Sequence, residues 1–111
     1  MSRQLEASIT SKCIKFLDDL ISKGYYIYYE HRSGGSGFAY KKGIPDLFIV
    51  INGVHIECEM KTPWGGLSTM QEKWKNKFEQ LHIRYICPTS FEEFKQHIIK
   101  FIKEILNETI S

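Results

Sequence analysis

The chain has 111 residues, of which 42% are hydrophobic and 25% charged, and a formal net charge of +2. That length suits one domain with one core and leaves no room for a second, and so mild a charge neither demands nor excludes a polyanionic partner. No apolar run approaches the about 20 residues of a spanning helix and no signal-peptide core opens the chain, so the expectation is a cytoplasmic, globular protein.

Leu5, Ile9, Cys13, Phe16, Leu17 and Leu20 recur at intervals of three and four, which predicts an amphipathic helix from about Arg3 to Ser22, ended by Gly24. Tyr25 to His31 is aromatic and β-branched and reads as a strand. Ser33-Gly34-Gly35-Ser36-Gly37 has too high an ordering entropy to continue it and reads as a mobile loop, running on through Lys41, Lys42 and Gly43. Pro45 to Ile51 is an apolar strand, Asn52-Gly53 is the strongest short hairpin signal, and Val54 to Lys61 runs back. After the loop Thr62-Pro63-Trp64-Gly65-Gly66, Ser68 opens a helix to about Leu81, and Arg84 to Cys87 forms a short strand closed by Pro88. Ser90 and Glu93 form a capping-box signature for a last helix striped by Phe91, Phe94, Ile98, Phe101, Ile102, Ile105 and Leu106. The order α-β-β-β-α-β-α predicts a single α/β domain over residues 1–111, a mixed sheet with helices packed against it.

The central hairpin has a chemical consequence. If Asn52 and Gly53 are its two loop residues, Ile51 faces Val54, and counting outward sets Asp46 opposite Glu59. Opposed side chains have Cβ atoms about 4.5 to 5.5 Å apart, a distance at which two carboxylates repel unless positive charge lies between them. A divalent cation is the obvious candidate. Lys61 shares the face of Glu59, while Leu47, Ile49, Ile56, Cys58 and Met60 make the other face apolar. A slip of one residue would bury Glu57, Glu59 and Lys61 together, so the pattern selects its own register, and only a β-bulge would shift the count.

Gly43-Ile44-Pro45-Asp46, Glu59-Met60-Lys61, and Leu67-Ser68-Thr69-Met70-Gln71 with Trp74 together resemble the PD-(D/E)xK nuclease superfamily, and within it the virus-type replication-repair nuclease branch, VRR-NUC. P-D followed by E-x-K is weak alone; the N-G hairpin between them, the S-x-x-Q opening a helix and the element order make the combination specific. The resemblance runs from Glu6 to the last strand and implies a restriction-endonuclease-like fold, with about four strands flanked by helices. It implies an endonuclease that hydrolyses DNA with water activated by Mg²⁺ or Mn²⁺, hard ions that favour oxygen ligands. Carried over onto this chain, Asp46 and Glu59 are carboxylate ligands, the backbone carbonyl of Met60 faces the metal, and Glu6 completes the shell through water. Lys61 would orient or help deprotonate the attacking water and offset phosphate charge, with Gln71 close by. Stand-alone relatives tend to form homodimers and can act on branched DNA such as four-way junctions. The resemblance therefore implies a homodimer with DNA structure, rather than base sequence, as its target, which suits a domain with few elements free to enter a groove. The chain departs from the family at His82-Ile83, before the last strand, where glycine is common.

Plainer readings accompany each of these. Asp46 after Pro45 is also an ordinary turn former, and Glu59 and Lys61 could form a solvated strand face, with Glu57 as support or solvent-facing charge. Ser68-x-x-Gln71 is itself a capping box, so Gln71 stands equally as a cap or a site residue, and both can hold. Trp74 and Phe78, one helical turn apart, read as core rather than as a base-stacking platform. The four histidines share no metal-binding spacing, and Cys13, Cys58 and Cys87, lacking a C-x-x-C, read as small core residues. His31 and Arg32, with Lys41 and Lys42, are the expected phosphate contacts; the bland alternative is that they keep a loop soluble. The rival functions are a non-catalytic nucleic-acid-binding module and a small-nucleotide hydrolase, the latter lacking any G-x-x-x-x-G-K phosphate cradle.

Overall fold

The computed structural model describes residues 2–32 and 42–110, so the expected glycine-rich loop at 33–37 and Lys41 lie outside the described residues. Its centre is the hairpin of β2 (Leu47–Ile51) and β3 (Val54–Cys58), joined by Asn52 and Gly53 alone. Both loop residues have positive φ, 51° and 85°, the geometry of a type I′ turn, whose twist matches that of the strands it joins. The register follows: Ile51 pairs with Val54, Ile49 with Ile56, and Leu47 with Cys58.

β1 (Ile27–His31) lies antiparallel on the other edge of β2, and β4 (Arg84–Ile86) lies parallel to β3, giving the sheet order β1-β2-β3-β4. A parallel neighbour needs a crossover, and α2 (Thr69–Gln80) supplies it. The described helices are completed by α1 (Ser2–Ser22) and α3 (Phe91–Ile110). None of them is long and apolar enough to cross a membrane.

Alternation along the strands sorts the side chains into two layers. Leu47, Ile49, Ile51, Ile56, Cys58, Met60 and Ile86 turn to one face, where Cys13 and Leu17 of α1 and Phe94, Ile98, Ile102 and Ile105 of α3 bury them. Each large aliphatic side chain buried there contributes about 1.5 to 3 kcal/mol. On the other face Phe48 meets the His55 ring at 4.4 Å, His55 meets Phe78 of α2 at 6.5 Å, and Trp74 stacks on Phe78 at 5.5 Å. The sheet is thus a filling between α1 with α3 and α2.

Burial on this face corrects the register argument. Glu57 and Glu59 are 1% and 3% exposed in the native register, so no slip is needed to bury them, and the alternative of a solvated face for Glu59 and Lys61 fails at Glu59. Glu57 is held by Arg32, whose Nη1 and Nη2 donate to its two carboxylate oxygens at 2.6 and 3.1 Å, and its Oε2 also meets His55 Nε2 at 2.6 Å. A paired charge with both oxygens engaged is a form in which a carboxylate can be buried.

Element ends differ from expectation by a few residues. β1 begins at Ile27 rather than Tyr25, and β3 ends at Cys58 rather than Lys61. Pairing nevertheless continues past that end, because Glu59 N donates to Ile86 O at 3.0 Å and Lys61 N to Pro88 O at 3.2 Å. His82, at the position where the resembled family often carries glycine, has φ 60°, which gives a physical reason for the glycine; histidine is among the side chains that tolerate this region better than most. Gly24, with φ 100°, ends α1 as the spacing suggested.

Replacing Glu57 with alanine strands a buried guanidinium, so Glu57→Ala should lower unfolding free energy by about 3 to 5 kcal/mol in urea titrations. A loss within experimental error would show that Arg32 finds water or another partner.

Candidate active site

Entry into β2 is tightly specified. Arg32 N donates to Asp46 O at 2.8 Å and Arg32 Nη1 to Pro45 O at 3.0 Å, so the chain on the two sides of segment 33–41 is clipped together at one place. Gly43 has φ 81°, and a Cβ there would lie 2.6 Å from Met70 Cβ and 2.9 Å from Gln71 N. Only glycine lets this turn rest against the start of α2, and that close approach brings Gln71 beside the loop leading to Asp46.

One step beyond the Leu47–Cys58 pair, the register sets Asp46 against Glu59. Asp46 Oδ2 accepts a hydrogen bond from Met60 N at 2.9 Å, which fixes its carboxyl at the end of β3. In extended backbone a residue's N–H and C=O point to the same flank, so the Met60 carbonyl is turned to the side that Asp46 occupies. Burial, then the neighbouring Asp46 carboxyl, push Glu59 from 4.5 up to about 9; Lys61 opposes the rise and Glu6 adds to it.

Glu59 Oε1 is buried and has no hydrogen-bond partner. An orphaned carboxylate oxygen beside a second carboxyl is a donor set that a hard divalent cation satisfies, so the residues present fit such an ion. Among the described residues no three His, Cys, Asp or Glu side chains gather closely enough to hold a metal by themselves. Glu6 raises the Glu59 pKa but does not complete such a cluster with Asp46 and Glu59.

The remaining expected residues separate. Gln71 Oε1 accepts from Ser68 N at 2.8 Å and Gln71 N donates to Ser68 Oγ at 3.2 Å, so the capping box is formed. Trp74 Nε1 donates to Lys42 O at 3.0 Å, tying α2 to the same loop. Arg32, expected to meet phosphate, is turned inward onto Glu57 and Pro45, while His31 and Lys42 are exposed. Cys13 and Cys58 are buried as expected and Cys87 is half-buried, and all three are free thiols.

Sequence reasoning missed three contributors. The buried Arg32–Glu57 pair has no signal in spacing, since it joins residues 25 positions apart. Tyr85 carries a buried hydroxyl without a partner, and its strand pairing was not legible from a three-residue run. Lys75 of α2 joins Lys61 in opposing the rise in the Cys87 thiol's pKa, a rise due first to burial and then to Glu59. A basic residue at i+4 from Gln71 was the available clue.

No family model matches the chain, and no curated protein matches it. A solved structure described as a "VRR_NUC domain" superimposes on it with a TM-score of 0.68, covering 85% of this chain and 94% of that one at 17% identity. That likeness establishes a common fold.

Two outcomes follow from this geometry. Because folded Glu59 holds its proton to about pH 9 while the unfolded chain releases it near 4.5, the cation-free protein loses stability as pH rises through that window. The slope from this group is at most about 1.4 kcal/mol per pH unit, and thermal midpoints of wild type and Glu59→Gln should diverge as pH rises. Parallel curves would show that folding does not hold Glu59 in its protonated form. Gly43→Ala, strained by both its φ and its contact with Met70, should destabilise by about 1 to 3 kcal/mol in chemical denaturation.

Proposed function

We propose that this protein is a divalent-metal-dependent DNA endonuclease that hydrolyses phosphodiester bonds, selecting DNA structure, such as a four-way junction, rather than base sequence. The observation that carries the reading is the buried, unpartnered Glu59 oxygen beside the Asp46 carboxyl, with Lys61 two residues along. Outside a ligand site, such an arrangement is a pure cost to the fold.

Asp46 and Glu59 would hold Mg²⁺ or Mn²⁺, with the Met60 carbonyl and, through water, Glu6 as the further groups that would serve the ion. When bound, the cation supplies Lewis-acid stabilisation of phosphoryl charge and a water acidic enough to attack near neutral pH. Asp46 is kept in place by Met60 N–H, so its carboxyl needs no reordering to act as a ligand. Lys61 carries positive charge toward the acids, where an ammonium can orient the attacking water and balance phosphate charge. Gln71 has its carbonyl oxygen committed to the cap and its amide group available for phosphate, which lets one residue serve both purposes. Exposed His31 and Lys42 are the phosphate contacts on the described surface, joined in the proposal by Lys41. A homodimer related by a two-fold axis would present two such sites to two strands.

Supercoiled plasmid and a synthetic four-way junction should both be cut with Mg²⁺ or Mn²⁺ and spared with chelator, the junction faster than linear duplex of equal length. Lys61→Ala and Asp46→Asn should each lower the rate by about 10²-fold or more. DNA binding without cleavage by the wild type would leave a non-catalytic nucleic-acid-binding module; undiminished cutting by Lys61→Ala would remove the assignment of this site.

A further inference from the structure

The side chains of β4 alternate between the two helical layers. Arg84 lies 3.7 Å from Glu104 of α3 and over the Phe101 ring at 5.4 Å, and Ile86 belongs to the core shared with α1 and α3. Tyr85, between them, is therefore directed to the face that α2 covers. In the parallel pairing of β3 with β4 it stands beside Glu57, and Glu59 is the next residue of β3's continuation on that same face.

The Tyr85 hydroxyl is buried and without a hydrogen-bond partner, and among the described residues the other side-chain atom in that condition is Glu59 Oε1. One is a donor lacking an acceptor, the other an acceptor lacking a donor. Buried polar groups are seldom left in this state, because each unsatisfied one costs about 1 to 3 kcal/mol. Burial, then the Cys87 thiol and the Glu59 carboxyl, raise the Tyr85 phenol above its ordinary value, with Cys58 and Asp46 contributing too.

We propose that Tyr85 is a positioning residue for Glu59: in the cation-bound protein its hydroxyl, unpaired in the cation-free structure, donates a hydrogen bond to the Glu59 carboxylate and sets the orientation in which that group meets a divalent cation. This rests on the nuclease reading of the site and adds to it a residue outside the motif. The ring supplies packing against α2's face of the sheet, and the hydroxyl supplies the donor that the Glu59 oxygen lacks. Partners of this kind behind a ligand hold its geometry and basicity, and their loss weakens metal affinity by about 10- to 100-fold.

Tyr85→Phe separates the two contributions because it keeps the ring. Calorimetric titration of the full chain with Mn²⁺ should show that loss of affinity, while the thermal midpoint without cation stays level or rises, since an unsatisfied donor has been removed. Mn²⁺ affinity equal to wild type overturns the role of Tyr85 and leaves the nuclease reading standing if wild type still cuts DNA. Failure of wild type to bind Mn²⁺ overturns both. If Tyr85→Phe lowers the cation-free midpoint instead, its combination with Glu59→Gln decides: non-additive midpoints support a bond between the two side chains, and additive ones overturn it.

Discussion

The molecule depends on a two-residue reversal. Asn52 and Gly53 both adopt left-handed backbone, and a turn of that type admits a single pairing of the strands it joins. Six residues before the turn and six after it, Asp46 and Glu59 inherit their opposition from that pairing. A residue more or less in the turn would send one acid into the layer of α1 and α3 and the other toward α2. The acid pair is thus a property of backbone geometry first and of side-chain chemistry second.

Holding charge inside the protein then falls to the surroundings. Glu57 is neutralised by a two-point contact with Arg32, and the same guanidinium grips Pro45, so one buried ion pair both satisfies a carboxylate and anchors the approach to Asp46. Glu59 is treated in the opposite way. It is buried without a comparable partner, and burial together with Asp46 favours its protonated form. Two acids on one strand face, two residues apart, therefore have different fates: one is saturated and structural, the other is left unsatisfied. Stability is spent at the second position, the pattern expected where a fold keeps a site ready for a ligand.

α2 links these parts. Its cap uses Gln71, its first turn accepts the bare backbone of Gly43, and its Trp74 binds the carbonyl of Lys42. The helix that completes the parallel crossover therefore also closes over the loop carrying Asp46, and its Phe78 packs on His55, which contacts Glu57. Displacement of α2 would loosen the loop that carries Asp46 and remove Phe78 from His55 together.

Local chemistry by itself determined the elements, the hairpin turn and the count from Asn52-Gly53 to the two acids, because period-two alternation and a two-residue loop leave little freedom. It also determined the capping box at Ser68 and Gln71, whose partners lie within one helical turn. The direction of Arg32 was decided by tertiary structure: its neighbours in the chain suggest an exposed cation, and only the approach of β3 supplies Glu57. The burial of Glu57 and Glu59 was likewise decided by tertiary structure, on a face that alternation alone marks as polar. Tyr85 belongs to the same class, since a short parallel edge strand takes its register from the crossover and not from its own three residues. Contacts between residues far apart in the chain carry no local periodic signature, so spacing could locate the acids but not the groups that bury, pair or orient them.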